Sequence, residues 1–323
     1  MTKYGYTLMT EQSGPKDLVR YAVAAERAGW DFEVMSDHYF PWLDSMGHAP
    51  NAWATLGAVA QATERVELMT YVTCPTMRYH PAVVAQQAAT VGLLSDGRFL
   101  LGLGSGENLN EHVTGQGWPP VSVRLEMFAE ALAIITELLG GDYVDYVGEH
   151  YRVTAAKLWD VAETPPQIGI AVSGPQSCRL AGAKADALIA VEPDASLGEM
   201  FDAAGGTGKP RIGQLPICYD TDRDTAINRA HDLFRWFGGG WKVNADIPGT
   251  AGFDAASRFV RKDDVAESIP CGSDTGAVVE AVRAFTDAGF THVALVQIGG
   301  GSEHQDPFFE WSRQELLPAL REL

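Results

Sequence analysis

Residues 34–42 read Val-Met-Ser-Asp-His-Tyr-Phe-Pro-Trp, an apolar strand that leads directly into a carboxylate, an imidazole and an indole. A helix predicted at Ala52–Thr63 follows, so the two elements form one strand–helix unit. Titratable side chains at the end of such a strand are typical of parallel α/β folds, whose sites lie at the carboxyl ends of the strands. The segment therefore predicts a parallel sheet and the edge of that sheet that carries the chemistry.

The same alternation of strand and helix extends in both directions along the chain. We predict buried strands at Tyr4–Leu8, Phe32–Ser36, Val66–Thr73, Arg98–Gly104, Gln167–Ser173, Ala187–Glu192, Ile212–Tyr219 and His292–Ile298. Helices are predicted at Pro15–Ala28, Ala52–Thr63, Ala82–Leu94, Val123–Leu139, Pro175–Lys184, Leu197–Ala204, Thr225–Phe237, Thr275–Ala288 and Phe308–Leu320. Eight such units are what a closed (β/α)8 TIM barrel requires, and a doubly wound open sheet is the alternative.

Two segments depart from this alternation. Residues 142–159 alternate apolar and polar side chains around Gly148, which predicts a β-hairpin outside the barrel. Residues 236–272 begin with several glycines and predict a loop or helical excursion over the top of the barrel. We find no linker or low-complexity tract, so residues 1–323 are expected to form a single α/β barrel domain with these two insertions.

Composition excludes several classes of function. The chain has 46% hydrophobic and 20% charged residues, enough for a large core. Its formal net charge of −18 repels nucleic acids and anionic membrane surfaces, so neither is expected as a partner. No run approaches the roughly 18 apolar residues of a membrane span, and no export signal is recognised, which predicts a cytoplasmic location. The four cysteines are far apart and are expected to be reduced core residues.

His38 is the first candidate catalytic residue. An imidazole accepts a proton near neutral pH, and the adjacent Asp37 could fix its tautomer or bind a ligand. Trp42 could flank a flat ligand or stabilise positive charge over its face. The alternatives are a histidine whose hydrogen bonds are satisfied within a loop, and a tryptophan of the core.

Two further strand ends carry candidate binding residues. Glycines alternate at Gly102, Gly104 and Gly106, which would let the backbone approach a ligand closely and would place Glu107 at the mouth of the site. Such glycines equally serve tight packing alone. The segment Ser173-Gly174-Pro175 ends a strand and opens a helix, a junction that suits a phosphate but is also an ordinary helix start.

Other catalytic motifs are missing from the sequence. There is no G-x-S-x-G elbow, P-loop, H-E-x-x-H or His-x-His strand motif, so hydrolase, kinase and metal-dependent barrel functions lack support. No metal site is predicted.

A set of short motifs, in order and with matching gaps over nearly the whole chain, resembles the luciferase-like barrel superfamily. Within it, the chain is similar to the coenzyme F420-dependent branch, close to the F420-dependent glucose-6-phosphate dehydrogenases. The motifs are Ser36-Asp37-His38 with Pro41-Trp42, His48-Ala49-Pro50, residues 75–82 (Pro-Thr-Met-Arg-Tyr-His-Pro-Ala), residues 104–111 (Gly-Ser-Gly-Glu-Asn-Leu-Asn-Glu) and Ser173-Gly174-Pro175.

The resemblance implies a homodimeric barrel that binds F420, an 8-hydroxy-5-deazaflavin, at the carboxyl ends of its strands. The reaction would be hydride transfer between the deazaflavin C5 and a carbinol or carbonyl carbon of a small alcohol, sugar or ketone, in either direction. His38 would be the base for the hydroxyl proton and Trp42 would brace the developing charge. Glu107 would act as acid near the ring's N1, at the opposite end of the ring from His38.

The resemblance also assigns binding residues. Asp37 and Asn110 would hold polar groups of the cofactor, and a non-proline cis peptide, Tyr71-Val72, would support the ring. The expected cofactor-binding set is Asp37, Tyr71, Val72, Thr73, Gly106, Glu107, Asn110, Val172, Ser173 and Gly174, with the phosphate at the last two. The expected substrate-binding set is Glu11, Trp42 and Lys242.

Departures from the family pattern bear on the substrate. Two lysines and an arginine bind the substrate phosphate in the sugar-phosphate dehydrogenases, and these align near Asp194, Lys242 and Ser268. Only one cation remains, and an acid in place of a lysine would repel a phosphate, so glucose 6-phosphate is a doubtful substrate. The bulky Tyr71 is expected to reshape the pocket, since the relatives have a small residue there.

Two alternative functions stay open from the sequence. One is an FMN-dependent luciferase-like monooxygenase, and the other is a non-catalytic deazaflavin-binding barrel that would not need His38. Replacing His38 by alanine separates an enzyme from a carrier. In each case the loops at Tyr39–Pro50 and 236–272 are expected to enclose the pocket and exclude water.

Overall fold

Eight short apolar strands pair in parallel and close into a barrel in the computed structural model, which describes residues 2–323. Two further strands form a separate antiparallel pair. In chain order the strands are β1 (Lys3–Leu8), β2 (Phe32–Met35), β3 (Glu67–Thr70), β4 (Phe99–Leu103), β5 (Val144–Val147), β6 (Arg152–Ala156), β7 (Gln167–Ala171), β8 (Ala187–Ala190), β9 (Arg211–Ile217) and β10 (His292–Gln297). The order around the barrel is β1-β10-β9-β8-β7-β4-β3-β2, which confirms the predicted TIM barrel and rules out the open sheet.

Helices follow the barrel strands and form the outer layer. They are α1 (Pro15–Ala28), α2 (Ala52–Ala62), α3 (Pro81–Leu94), α4 (Asn108–Glu111), α5 (Val121–Leu139), α6 (Pro175–Lys184), α7 (Ala195–Phe201), α8 (Arg223–Phe234), α9 (Trp241–Asn244), α10 (Thr250–Ser257), α11 (Lys262–Ser268), α12 (Thr275–Asp287), α13 (Ser302–Trp311) and α14 (Leu317–Arg321). Short 3₁₀ or π turns lie at Asp44–Met46, His112–Thr114, Asp202–Gly206, Arg235–Gly239 and Ser312–Leu316.

The strands read as continuous apolar runs because both of their faces are buried. Along β2, Phe32 and Val34 point into the barrel, where they pack with Met69, Ile189 and Ile212. The next residue, Met35, faces outward and packs in the larger core between strands and helices. The barrel interior is therefore filled by side chains, and a ligand has room only at its ends.

The hairpin expected near Gly148 is present. Strands β5 and β6 pair antiparallel, with Tyr146 opposite Val153. Glu130 of α5 accepts hydrogen bonds from the backbone N–H groups of Glu149, His150 and Tyr151, and these bonds fix the hairpin turn against the helix.

The second insertion is helical and lies over the carboxyl ends of the strands. Its elements α9, α10 and α11 follow the turn Arg235–Gly239, and we call residues 235–269 the covering insertion. Its Trp236 and Phe253 belong to a hydrophobic cluster with Met9, Trp42 and Leu109, which lie just beyond barrel strands. The backbone N–H of Asn108 also donates to the carbonyl of Ala245 at 2.9 Å.

The remaining global expectations concern membranes, metals and cysteines. Within residues 2–323, no helix combines the length and the hydrophobicity that a bilayer crossing requires. The same part of the chain contains no cluster of metal-ligating side chains. All four cysteines are free, and Cys74, Cys178 and Cys218 are buried.

Candidate active site

The carboxyl ends of four neighbouring strands carry site residues that the sequence singled out. Glu11 follows β1, His38 follows β2, Thr73 follows β3 and Glu107 follows β4. Because β1, β2, β3 and β4 are consecutive around the barrel, these residues lie at one sector of one edge. The predicted site residues therefore come together at one edge of the barrel.

His38 lies between two carboxylates. Its Nδ1 is 3.1 Å from the carbonyl oxygen of Phe40, which can only accept a hydrogen bond, so Nδ1 carries a proton and donates. Its Nε2 is 3.5 Å from Glu11 Oε1 and 3.6 Å from Glu107 Oε2. This assignment leaves Nε2 as the nitrogen that accepts or releases a proton in the site.

Glu11 is held in one orientation by three donors. The indole N–H of Trp42 donates to Oε1 at 3.0 Å, and the hydroxyls of Ser36 and Thr10 donate to Oε2. The Glu11 side chain is buried, and hydrogen bonds of this kind stabilise a buried carboxylate. The Trp42 N–H is thus engaged by Glu11 and orients the acid beside His38.

Glu107 is the most chemically distinctive acid of the site. Burial raises the pKa of Glu107 to about 7, while the neighbouring His38 opposes the rise and the charges of Glu11 and Glu111 add to it. Asn110 donates to Glu107 Oε2 at 3.2 Å, and 14% of the side chain remains exposed. A carboxyl of this kind can hold or release a proton near neutral pH.

His38 and Glu107 lie close together in the structure. Nε2 of His38 is 3.6 Å from Oε2 of Glu107 and 3.5 Å from Oε1 of Glu11. The family pattern implies that His38 and Glu107 meet opposite ends of a tricyclic ring, and that assignment stays a prediction.

Asp37, expected to contact a ligand, has its oxygens engaged within the protein. Thr73 donates to Oδ2 at 2.7 Å, Arg78 donates to Oδ1 at 3.1 Å, and the Tyr79 hydroxyl lies 3.4 Å from Oδ1. The carboxylate is fully buried. Its observed contacts fix the start of the loop that carries His38.

Arg78 and Glu111 complete the charged cluster, and sequence reasoning assigned neither of them a role. The backbone N–H of Arg78 donates to Glu111 Oε2 at 2.7 Å, and Arg78 Nε lies 3.5 Å from Glu111 Oε1. Burial raises the pKa of Glu111, although the guanidinium opposes that rise. The signal that could have found Arg78 is an arginine in the loop between β3 and α3 of a strongly acidic chain.

Aromatic side chains from the covering insertion close over Trp42. Trp236 stacks on it with ring centroids 4.0 Å apart and an interplanar angle of 9°, and Phe253 meets it edge-on at 5.0 Å. The His38 ring lies 4.9 Å from Trp42 on the site side. The loop after β2 and the covering insertion therefore cover the site together, as expected from the sequence.

The expected cofactor-binding residues after β3 and β4 lie at the same edge of the barrel. The Tyr71-Val72 peptide bond is cis, and the Tyr71 hydroxyl donates to the carbonyl of Ala190 at 3.0 Å. Gly106 has φ +88°, and a Cβ there would lie 2.5 Å from Cys74 Sγ, so only glycine fits this position. Asn110 accepts hydrogen bonds from the backbone N–H groups of Tyr39 and Phe40, which orders the loop after His38.

The β7–α6 junction offers an open helix N-terminus at this edge. Val172 is buried, whereas Ser173 is exposed and its N–H donates to Ser177 Oγ at 3.2 Å. The space beside Gly174 is open, with no atom within 4 Å of a Cβ built there. Helix α6 has ten residues, so its first turn presents N–H groups and a positive dipole end to an anion.

The positions aligned with a sugar-phosphate site are not brought to the His38 cluster. Asp194 accepts a hydrogen bond from Ser196 N and caps α7, and Ser268 donates to the carbonyl of Asp264. Both side chains and Lys242 are exposed. No ion pair or hydrogen bond joins any two of the three in the described chain, so they form no phosphate-binding cluster.

Comparisons with known proteins agree with this architecture. A family model described as luciferase-like monooxygenase matches residues 2–292. The F420-dependent glucose-6-phosphate dehydrogenase of Amycolatopsis mediterranei is 35% identical over 100% of both chains, and that of Rhodococcus erythropolis is 36% identical over 99% of this chain and 98% of its own.

Solved structures with the same fold agree with the family match. An F420-dependent secondary alcohol dehydrogenase in complex with an F420-acetone adduct superposes with a TM-score of 0.90 at 27% identity, covering 99% of each chain. The coenzyme F420-dependent tetrahydromethanopterin reductase of Methanopyrus kandleri shares the fold, with a TM-score of 0.76 at 20% identity and 99% coverage of each chain. With its closed barrel, its site at the strand ends and a family match over most of its length, this chain belongs to the luciferase-like monooxygenase family.

Proposed function

We propose that this protein is a coenzyme F420-dependent oxidoreductase that acts on a carbinol or carbonyl carbon of a small, uncharged alcohol, sugar or ketone. The observation that carries the proposal is the placement of His38 Nε2 between Glu11 and Glu107 at the carboxyl end of the barrel. Full-length relatives named as F420-dependent dehydrogenases support the cofactor.

The residues at the strand ends fit such a cofactor. Bound F420 supplies a carbon, C5, that accepts or donates a hydride. The exposed junction at Ser173 and Gly174 would hold its phosphate, with Val172 as the buried base of that junction. Tyr71, Val72, Thr73 and Gly106 would form the wall behind the ring, while Asp37 and Asn110 order the loops on either side.

His38 would manage the proton of the substrate hydroxyl. With Nδ1 committed to the Phe40 carbonyl, Nε2 would accept the hydroxyl proton of an alcohol as the hydride leaves its carbon. The positive charge that results on the ring would be stabilised by Glu11, which three hydrogen bonds keep in place. In the reverse direction His38 would return the proton to a carbonyl oxygen.

Glu107 would act as the second acid of the site. Its pKa of about 7 lets it exchange a proton with the cofactor or with His38 at neutral pH. Trp42 would brace His38 and Glu11, because its indole contacts both and is itself fixed by Trp236.

The charges around His38 favour an uncharged substrate. Glu11 and Glu107 face the reacting position, and the nearby guanidinium of Arg78 is already engaged by Asp37 and Glu111. A phosphate or carboxylate near the reacting carbon would be repelled. Lys242 is exposed and would meet a substrate only at the entrance, where solvent screens its charge. Glucose 6-phosphate is therefore disfavoured as the substrate.

The assembly and location form part of the proposal. A groove between α1 and α2 is lined by Val19, Ala54 and Ala58, and Val83 and Leu94 on α3 are exposed, which supports a homodimer through these three helices. Static light scattering would test the homodimer, and Ala58→Arg is expected to yield monomers.

The contact of the covering insertion with α4 supports a single domain. The free thiols fit a cytoplasmic location, which cell fractionation would test.

Titration of the purified protein with F420 and with FMN, followed by fluorescence, tests the cofactor. We expect saturable binding of F420 and binding of FMN that is at least about tenfold weaker. Tight FMN binding without F420 binding would replace the proposal with an FMN-dependent monooxygenase. Binding of F420 without turnover of any alcohol, sugar or ketone would support a non-catalytic binding barrel instead.

A further inference from the structure

We propose that Arg78 is a positioning residue that, through its guanidinium and its backbone N–H, ties the peptide bond before His38 to the helix that follows Glu107 and so sets the distance between His38 and Glu107. The effect of Arg78 on the reaction rests on the proposed function, whereas the effect of Arg78 on the position of His38 does not.

The contacts of Arg78 reach both sides of the site. Its Nη2 donates to the backbone carbonyl of Asp37 at 2.8 Å and to the Asp37 carboxylate at 3.1 Å. That carbonyl belongs to the peptide bond that leads into His38. On the other side, the Arg78 backbone and Nε face the carboxylate of Glu111, the last residue of α4.

Arg78 therefore contacts three strand ends, through hydrogen bonds from Nη2 to Asp37, a hydrogen bond from its backbone N–H to Glu111 and an ion-pair contact of its Nε with Glu111. Arg78 lies in the loop between β3 and α3, Asp37 follows β2, and Glu111 lies on the helix that follows β4. The side chain of Arg78 is only 9% exposed, and those of Asp37 and Glu111 are 0% and 1% exposed. Solvent does not screen these contacts, so they constrain the loops strongly.

The geometry suits arginine and not lysine. A planar fork can bind a carbonyl and a carboxylate on one side while its Nε faces a second carboxylate, whereas an ammonium is a single point charge. The guanidinium also lies over the Tyr79 ring at 4.6 Å, which fixes its plane. Lysine at this position would keep the charge but lose the bridge.

Arg78 also supplies a permanent positive charge near the acids of the site. The charged groups that act on Glu107 are His38, Glu11, Glu111 and Arg78. Arg78 lowers the pKa of Glu107, so its removal would leave that carboxyl facing two acids and one imidazole. The pKa of Glu107 would then rise further.

The test compares Arg78→Met and Arg78→Lys with a matched control, Arg98→Met. Arg98 is also partly buried and donates to the carbonyls of Ala60, Thr63 and Val66, but it lies just before β4, at the amino end of the barrel. Two measurements are made for each variant: the His38 imidazole resonances in cofactor-free protein, and kcat, KM and the F420 Kd.

We expect Arg78→Met to shift the His38 resonances and to lower kcat by about 10²-fold, because a misplaced catalytic base loses most of its rate advantage. KM and the F420 Kd should stay within about threefold. The apparent pKa assigned to Glu107 in the pH dependence of kcat should rise. Arg78→Lys should recover part of kcat, and Arg98→Met should lower the melting temperature while leaving kcat and the His38 resonances unchanged.

Unchanged His38 resonances in Arg78→Met, or the same pattern in Arg78→Met and Arg98→Met, would overturn the proposal. If Arg78→Met does not fold, Arg78→Lys decides: a full wild-type kcat with wild-type resonances refutes the positioning role. If the wild-type protein does not bind F420, the proposed function fails, but the resonances in cofactor-free protein still decide whether Arg78 positions His38.

Discussion

Two groups of charged side chains, one at each end of the barrel, have different partners. At the amino end, the Glu26 carboxylate accepts hydrogen bonds from the backbone N–H groups of Glu64 and Arg65, and Arg98 donates to backbone carbonyls of α2 and of the segment between α2 and β3. Glu26 and Arg98 are thus both matched by backbone groups. At the carboxyl end, His38 Nε2 lies 3.5 Å from Glu11 and 3.6 Å from Glu107.

This difference in partners gives the buried carboxyls at the two ends opposite pKa shifts. Burial alone would raise the pKa of Glu26, but the N–H donors of Arg65 and Glu64 outweigh it, and the pKa is lowered. The pKa of Glu107 is instead raised to about 7, because burial is not matched by backbone donors. Charges that satisfy the backbone stabilise the fold, whereas charges held against each other are ready to exchange protons.

The largest effect should separate two histidines at opposite ends. His38→Ala is expected to lower kcat by about 10³-fold with F420 affinity retained, because the base is lost while the cofactor wall remains. His292 begins β10 at the amino end, where burial and the Lys3 ammonium lower its pKa to about 4. His292→Ala should leave kcat within about twofold, as measured by steady-state kinetics of F420 reduction.

A carrier protein would behave differently: His38→Ala would then match His292→Ala in every assay. Equal and large losses of activity in both variants would instead show that the two ends are not functionally distinct.

The second effect concerns how the free energy of unfolding depends on pH, and Glu107 and Glu26 should contribute to it with opposite signs. The Glu107 carboxyl has a pKa of about 7 in the folded state against 4.5 unfolded, so it is protonated in the fold and the free energy of unfolding falls as pH rises from about 4.5 to about 7. Glu107→Gln removes this loss and should be more stable than wild type by about 2 kcal/mol above pH 7.

Glu26 should show the reverse. Its lowered pKa contributes stability that is present above 4.5 and is lost as pH falls through the folded-state value. Glu26→Gln should therefore be less stable than wild type by about 1 kcal/mol at pH 7, with the difference shrinking toward pH 4. Urea unfolding of both variants from pH 4 to pH 8 measures this, and parallel slopes would refute the contrast.

The smallest effect should come from the exposed rim of the carboxyl end. Lys242→Ala is expected to change KM for a neutral alcohol by less than about threefold, because a solvent-exposed charge is screened. The matched comparison is wild-type turnover of glucose 6-phosphate, expected to be at least about 10²-fold less efficient. A large rise in KM with Lys242→Ala would place this cation in the substrate site.

Much of the fold was accessible from the sequence because its signals are local. Buried runs such as β2 alternate with helices along the whole chain. Eight strand–helix units are the number that a closed (β/α)8 barrel requires. The location of His38 followed in the same way, since the end of a parallel strand defines the edge on which its next residues lie. The cis bond at Tyr71-Val72 came from the family pattern and is present.

The contacts within the site depend on packing between distant segments and could not be read from spacing. The stacking of Trp236 on Trp42 requires the covering insertion to fold back over the barrel. Arg78 was visible in a motif, but its bridge between Asp37 and Glu111 depends on how three loops meet. The 3.6 Å contact between His38 Nε2 and Glu107 Oε2 likewise depends on how two loops meet.

The most direct test of the central claim is isotope transfer in a single turnover. Wild-type protein and oxidised F420 are mixed with a neutral alcohol that the protein turns over, deuterated at its carbinol carbon, and the products are analysed by mass spectrometry and NMR. The account predicts the corresponding carbonyl compound and reduced F420 that carries deuterium at C5, both lost in His38→Ala and kept in His292→Ala. Reduced F420 without deuterium, or turnover that requires FMN and oxygen, would contradict it.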